Sequence, residues 1–130
     1  MANTFKLIIL TPEREFYAGE ATELVVASTE GNLGVLANHM PLLTTLKPSA
    51  SEIVDKDGNK KRAFISTGIL EVKENSVTVL SDACEWPEEV DKKRAEAAKE
   101  RAEARLRQKT GVDVKRAELA VARALARLNL

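Results

Sequence analysis

VDKKRAEAAKERAEARL, Val90 to Leu106, returns almost unchanged as VDVKRAELAVARALARL, Val112 to Leu128. The two segments agree at twelve of seventeen positions, including Asp91 with Asp113 and the pairs Arg94/Arg116, Arg101/Arg123 and Arg105/Arg127. Small and apolar residues recur at steps of three and four, the period of a helix. Two related helices either side of a short Gly-containing stretch predict an antiparallel helical hairpin. The composition changes at Trp86-Pro87, which divides the chain into residues 1–86 and 87–130. Proline just ahead of Glu88-Glu89 suits a helix entrance, where acids also favour the dipole. Trp86, the only tryptophan, is expected to pin the hairpin to what precedes it.

Upstream, the chain reads as short β-rich runs between turn residues. TFKLIIL (Thr4 to Leu10) stops at Thr11-Pro12, and REFYAG is expected to turn at Gly19 before ATELVVAST (Ala21 to Thr29). Glu30 to Leu46 reads as strand, tight loop and strand. SEIVD and KRAFIS flank Asp57-Gly58, the pairing favoured in type I′ hairpins, where both central residues need positive φ. ILEVKEN and SVTVL complete a pattern of roughly eight to ten strands at intervals of about ten residues, as in a sandwich or barrel. The predicted fold is α+β, a β-sandwich followed by the two-helix hairpin.

Helical spacing gives the repeat its geometry. Asp91, Arg94, Ala98, Arg101 and Arg105 form one stripe, and Asp113, Arg116, Ala120, Arg123 and Arg127 form its counterpart. Ala95, Ala98 and Ala102 make a seam for Ala117, Val121, Ala124 and Leu128. Two readings stand at this point. Ala, Glu, Lys and Arg at these steps are common in solvated helices laced by i,i+4 pairs. Converging guanidiniums are also a bidentate phosphate site. Alanine seams bury little area, so the hairpin is expected to dock weakly while each helix holds together on propensity. That combination describes a movable arm.

The bulk properties set outer limits. The chain has 130 residues, 20 basic and 20 acidic, and net charge zero. Residues 1–87 carry 8 basic and 12 acidic groups and residues 88–130 carry 12 and 8, so the halves stand at −4 and +4. The segments are suited to attract one another, or the basic one to hold an anion. No apolar run approaches the roughly 20 residues of a membrane span, and the N-terminus lacks the layout of a secretory signal. One cysteine, Cys84, suits a reducing cytoplasm.

Several residues invite chemistry they do not support. His39 has neither the companions of a metal site nor a nucleophile to serve, and Cys84 reads as structural. Gly31 and Gly34 form no dinucleotide fingerprint. The Glu13, Glu15, Glu20, Glu23 group has only its number to suggest a carboxylate dyad. A free-standing nucleic-acid- or nucleotide-binding module using the basic helices is the alternative reading. Nucleic-acid platforms need aromatics for stacking, and no aromatic follows Trp86.

TPE (Thr11 to Glu13), EGNLGVLANHMPLLTTLKP (Glu30 to Pro48), GILEVKENSVTVL (Gly68 to Leu80) and the closing VDVKRAELAVARALARL carry a resemblance that spans the chain. Together they resemble the epsilon subunits of bacterial F-type ATP synthases, specifically the ATP-binding type of thermophilic or alkaliphilic bacilli-like bacteria. The resemblance implies a ten-stranded β-sandwich with a C-terminal helical hairpin, and a non-catalytic role. It implies a rotor subunit of the central stalk, bound to the gamma subunit and the c-ring and peripheral on the cytoplasmic face of the bacterial cell membrane. Such a subunit couples proton flow to ATP synthesis. The hairpin is implied to extend into the alpha/beta catalytic hexamer, inhibiting hydrolysis, and to fold back when ATP, with or without Mg²⁺, is its regulatory ligand. The family's motif I/L-D-x-x-R-A stands here as VDKKRA. The implied ATP-binding residues are Glu85, Val90, Asp91, Arg94, Ala95, Arg101, Arg123 and Arg127, with the arginines on the phosphates. Gly31, Asn32, His39 and Met40 are the implied partner contacts. Thr67-Gly68 replaces the usual Gly-Gly, and Ala37 and Met40 stand where Pro and Ala are common.

Overall fold

Alternation of apolar and polar residues sets the strands of this computed structural model, which describes residues 3–108 and 111–130. In β1 (Phe5–Leu10), Phe5, Leu7 and Ile9 point into the core while Lys6 and Ile8 face out. Among the described residues there are nine strands. After β1 come β2 (Glu15–Ser28), β3 (Gly31–Leu36), β4 (Leu42–Leu46), β5 (Ser49–Asp55), β6 (Lys60–Ile65), β7 (Gly68–Lys73), β8 (Ser76–Ser81) and β9 (Cys84–Glu85). A 3₁₀ turn, Pro87–Glu89, then leads to helices α1 (Lys92–Leu106) and α2 (Val114–Leu128).

Strand β2 joins the two layers of the sandwich. Its first half pairs with β1 and its second half with β3 and β5. One layer runs β2-β1-β8-β7-β4 and the other β3-β2-β5-β6-β9. A single Ser28–Leu46 pairing closes the first layer back onto the end of β2. Among the described residues only β1 and β8 run parallel. Leu7, Ile9, Leu24, Ile53, Leu70 and Val79 are fully buried between the layers.

The count of nine rather than ten traces to β2. The turn expected at Gly19 does not form; Gly19 pairs with Leu7, and the strand continues for 14 residues. A register shift between Ala21 and Glu23 accommodates the passage between layers, as a bulge does. The Asp57-Gly58 connection is a hairpin but not type I′: Gly58 alone has positive φ (84°). Asp55 Oδ1 accepts from the N–H groups of Asp57 and Asn59 at 2.9 Å each, which organises the loop instead. Gly68 is required by a close approach, since a Cβ there would collide with the backbone carbonyl of Leu80.

Helix α2 lies against β5, and α1 lies along α2. The alanine seam is present: Ala95, Ala102, Ala117 and Ala124 are buried, while Ala98, Val121 and Leu128 are half-buried. Each buried methyl contributes on the order of 0.8 kcal/mol, so the seam holds with much less than a core of large side chains. Beneath α2, Phe64 is fully buried yet points away from the inter-layer core. Ala63, Phe64 and Ile65 are consecutive and all buried, because the hairpin covers the outer face of β6.

Candidate functional site

Trp86, Glu89 and Asp91 govern how the chain leaves the sandwich and starts α1. Trp86 stacks on Phe16, ring centroids 4.2 Å apart and planes 20° from parallel. It therefore fastens the connecting segment to β2 rather than pinning the helices themselves. Glu89 accepts from the Trp86 backbone N–H at 2.8 Å and closes the 3₁₀ turn. Glu88 and Glu89 thus belong to that turn and not to the first turn of α1, where the sequence reading puts them. Val90 and Asp91 are extended, and Asp91 caps α1, its Oδ1 accepting from the Arg94 N–H at 3.0 Å. Asp113 does the same for α2 through the Arg116 N–H at 3.1 Å. The repeated Asp-x-x-Arg is thus first of all two helix starts, a role the stripe reading missed.

Between the helices and the connecting segment lies a cleft of about 330 Å³. Of the residues that the family resemblance implies, Glu85, Asp91, Arg94, Ala95, Arg101, Arg123 and Arg127 line it. Val90 does not; it is half-buried at the end of the 3₁₀ turn. Glu89 lines the cleft and was not foreseen. The six-arginine stripe divides, for Arg105 and Arg116 line a separate cleft at the turn end of the hairpin with Asp113.

Charge in the cleft is unbalanced. Arg127 Nε donates to Glu85 Oε1 at 2.7 Å, and its guanidinium carbon lies 4.3 Å from the centroid of the Phe64 ring. Glu89 pairs at 2.7 Å with Arg14, which comes from the β1–β2 connection. That bond holds the Glu89 carboxyl below its ordinary range, and the Trp86 N–H adds to the effect. Arg94, Arg101 and Arg123 have no carboxylate within ion-pair distance among the described residues. Three like charges converging without an ion-pair partner among the described residues repel one another until an anion bridges them, and guanidinium forks match phosphate oxygens. The volume falls at the small end of ligand pockets, about 300–1,000 Å³.

The residues expected to contact partners are not brought together. Gly31 and Asn32 begin β3, whereas His39 and Met40 lie in the loop after its far end. Met40 is exposed, and His39 Nδ1 is 2.7 Å from the carbonyl oxygen of Met40. A separate exposed apolar face covers the outside of β4, β7, β8 and β1. Leu80 stands directly opposite Ile69 on one side and Leu10 on the other, with Ile8 and Leu43 nearby.

Residues 4–87 match the family model described as the ATP synthase Delta/Epsilon chain beta-sandwich domain. Residues 88–130 match the Delta/Epsilon chain long alpha-helix domain. The ATP synthase epsilon chain of Clostridium kluyveri is 58% identical over 112 residues, 86% of this chain and 85% of that one.

The chain belongs to the ATP synthase epsilon-chain family.

The epsilon chain of Caldanaerobacter subterraneus is 51% identical over 109 residues, covering 84% of this chain and 79% of its own. A chain in the Euglena gracilis mitochondrial ATP synthase has the same fold, with TM-score 0.85 at 23% identity over 99% of this chain and 81% of that one. As an epsilon chain, this protein is a non-catalytic stalk subunit of the F-type, proton-driven ATP synthase, membrane-associated through the complex. No helix among the described residues is long and apolar enough to cross a membrane.

Proposed function

We propose that this subunit carries an ATP-sensitive switch, in which ATP enters the four-arginine cleft and holds the hairpin against the sandwich. The observation that carries this reading is the convergence of Arg94 and Arg101 from α1 with Arg123 and Arg127 from α2. A polyphosphate bridging them ties the two helices together, and Glu85 extends the tie to the sandwich through β9. The ligand favours the docked form because the cleft is complete only there. Without ATP, the weak alanine seam lets the arm leave, reach the alpha/beta hexamer and inhibit hydrolysis. Glu85, Asp91 and Ala95 lie on the adenine and ribose side, and Arg94, Arg101, Arg123 and Arg127 hold the phosphates; Val90, which does not line the cleft, is left out of the contact. With every cleft carboxylate already paired or capping, any Mg²⁺ enters as the nucleotide's own counter-ion.

In the assembled enzyme the exposed face of Ile8, Leu43, Ile69 and Leu80 fits the gamma subunit, because apolar area of this kind is what a permanent partner covers. Gly31, Asn32, His39 and Met40, on the remaining loops and strand ends, are left for the c-ring. On this reading the subunit sits at the cytoplasmic face of the bacterial membrane and couples proton flow to rotation.

Calorimetric titration with ATP tests the site. Arg94→Ala is expected to weaken binding at least about tenfold, or roughly 1.4 kcal/mol. Asp91→Asn, which keeps a capping oxygen, separates a ligand role from a helix-start role at that position. Unchanged affinity in Arg94→Ala would contradict the site.

A further inference from the structure

We propose that Arg14, which lies outside the cleft, sets the cleft's affinity for a polyphosphate by neutralising Glu89. This rests on the ATP reading above and adds to it a residue from the β1–β2 connection.

The cleft has three carboxylates, and each is engaged differently. Glu85 is held by a cleft arginine, Arg127, and Asp91 caps α1. Glu89 alone takes its counter-charge from outside the cleft, from Arg14 at 2.7 Å. Arg14 is fixed before any ligand arrives. Its Nη2 also donates to the Cys84 carbonyl at 3.2 Å, and its guanidinium carbon lies 5.1 Å from the centroid of the Phe16 ring. Its own backbone is organised by Thr11, whose Oγ1 accepts from the Arg14 N–H at 3.2 Å. Glu89 is equally fixed, since the oxygen that meets Arg14 also accepts from the Trp86 N–H.

The pair is solvent-reached, with side chains 42% and 36% exposed. Exposed pairs contribute little to stability, so breaking this one leaves the fold in place while changing the charge at the cleft. Without Arg14, the Glu89 carboxylate becomes a free anion beside Arg94, Arg101 and Arg123. There it opposes the phosphates twice, by repelling them and by occupying the guanidiniums they need. Arg14 removes an internal competitor and pre-organises the site for an external anion.

The test is calorimetric titration of the full chain with ATP, comparing Arg14→Gln, Arg14→Lys, Glu89→Gln and the double variant Arg14→Gln/Glu89→Gln. A glutamine at 89 still accepts from the Trp86 N–H, so it removes the charge and keeps the turn. Arg14→Gln is expected to raise the dissociation constant about fivefold, the scale of one nearby screened charge. Arg14→Lys and the double variant are expected to lie within about twofold of the unaltered chain. Glu89→Gln alone is expected to bind as tightly or more tightly. The inference is overturned if Arg14→Gln binds ATP unchanged, if Glu89→Gln weakens binding, or if the double variant stays as weak as Arg14→Gln. The last outcome makes Arg14 a structural clamp. No ATP binding by the unaltered chain overturns the ATP reading as well, which separates the two failures.

Discussion

Glu85 and Arg127 sit at the only place where the sandwich, the connecting segment and the last turn of α2 meet through a short ion pair among the described residues. One residue before Glu85, Cys84 is buried and paired in register with Ile65. Burial pushes its thiol up from 9.0 to about 11. The unfolded chain therefore releases this proton first as pH rises. Stability contributed by the neutral thiol is complete below about pH 9 and is lost as pH rises through about 11. Urea midpoints measured across that window are expected to fall more steeply for the unaltered chain than for Cys84→Ala; equal slopes would contradict the assignment. At this scale the cleft was legible through the family resemblance, since residue type alone left the arginine stripes open between a solvated face and an anion site. Seven of the eight expected nucleotide residues line one cleft. Glu89 and Arg14 were not readable, because their pairing joins positions 75 residues apart and no local pattern announces it. Asp91 was legible as part of a stripe, but capping and stripe spacing coincide at a helix start, so spacing alone could not separate them.

Among the elements, β6 carries information that alternation hides. A strand with one wet face alternates, but Ala63-Phe64-Ile65 does not, and the reason is the hairpin lying over Phe64. Phe64→Ala removes the ring beneath Arg127 and is expected to cost about 3 kcal/mol, the scale of a buried phenylalanine truncation. Hydrogen exchange locates the effect: amides of α2 are expected to lose protection while those of β1 and β8 keep it. Uniform loss across the sandwich would show that Phe64 supports the core and not the docking. The hairpin itself was the most legible element, since two near-identical seventeen-residue segments of helical period leave little alternative. The continuous β2 was the least legible. Glycine at position 19 reads as a turn, yet it sits inside the ladder with β1 opposite Leu7, and such pairing partners are non-local.

For the whole molecule, the fold sorts its surfaces into one for each task. The outer face of β4, β7, β8 and β1 is apolar, the hairpin cleft is basic, and they lie on opposite layers of the sandwich. Leu80→Glu places a charge in the centre of the apolar face and is expected to weaken association with the gamma subunit at least about tenfold. ATP binding is expected to be unaffected. Co-purification and calorimetry together check this, and an unchanged gamma affinity would move that interface elsewhere. The charge asymmetry between the segments, −4 against +4, is the part of this organisation that composition alone disclosed; which faces meet required the tertiary structure. The central claim is that ATP binds the docked hairpin and thereby holds it. Spin labels on Glu118 of α2 and Lys61 of β6 report the separation directly, by pulsed dipolar spectroscopy with and without ATP. Without ATP a broad distribution is expected, collapsing to a single short distance when ATP is added. A distribution that ATP leaves unchanged, at concentrations where calorimetry shows the site filled, would contradict it.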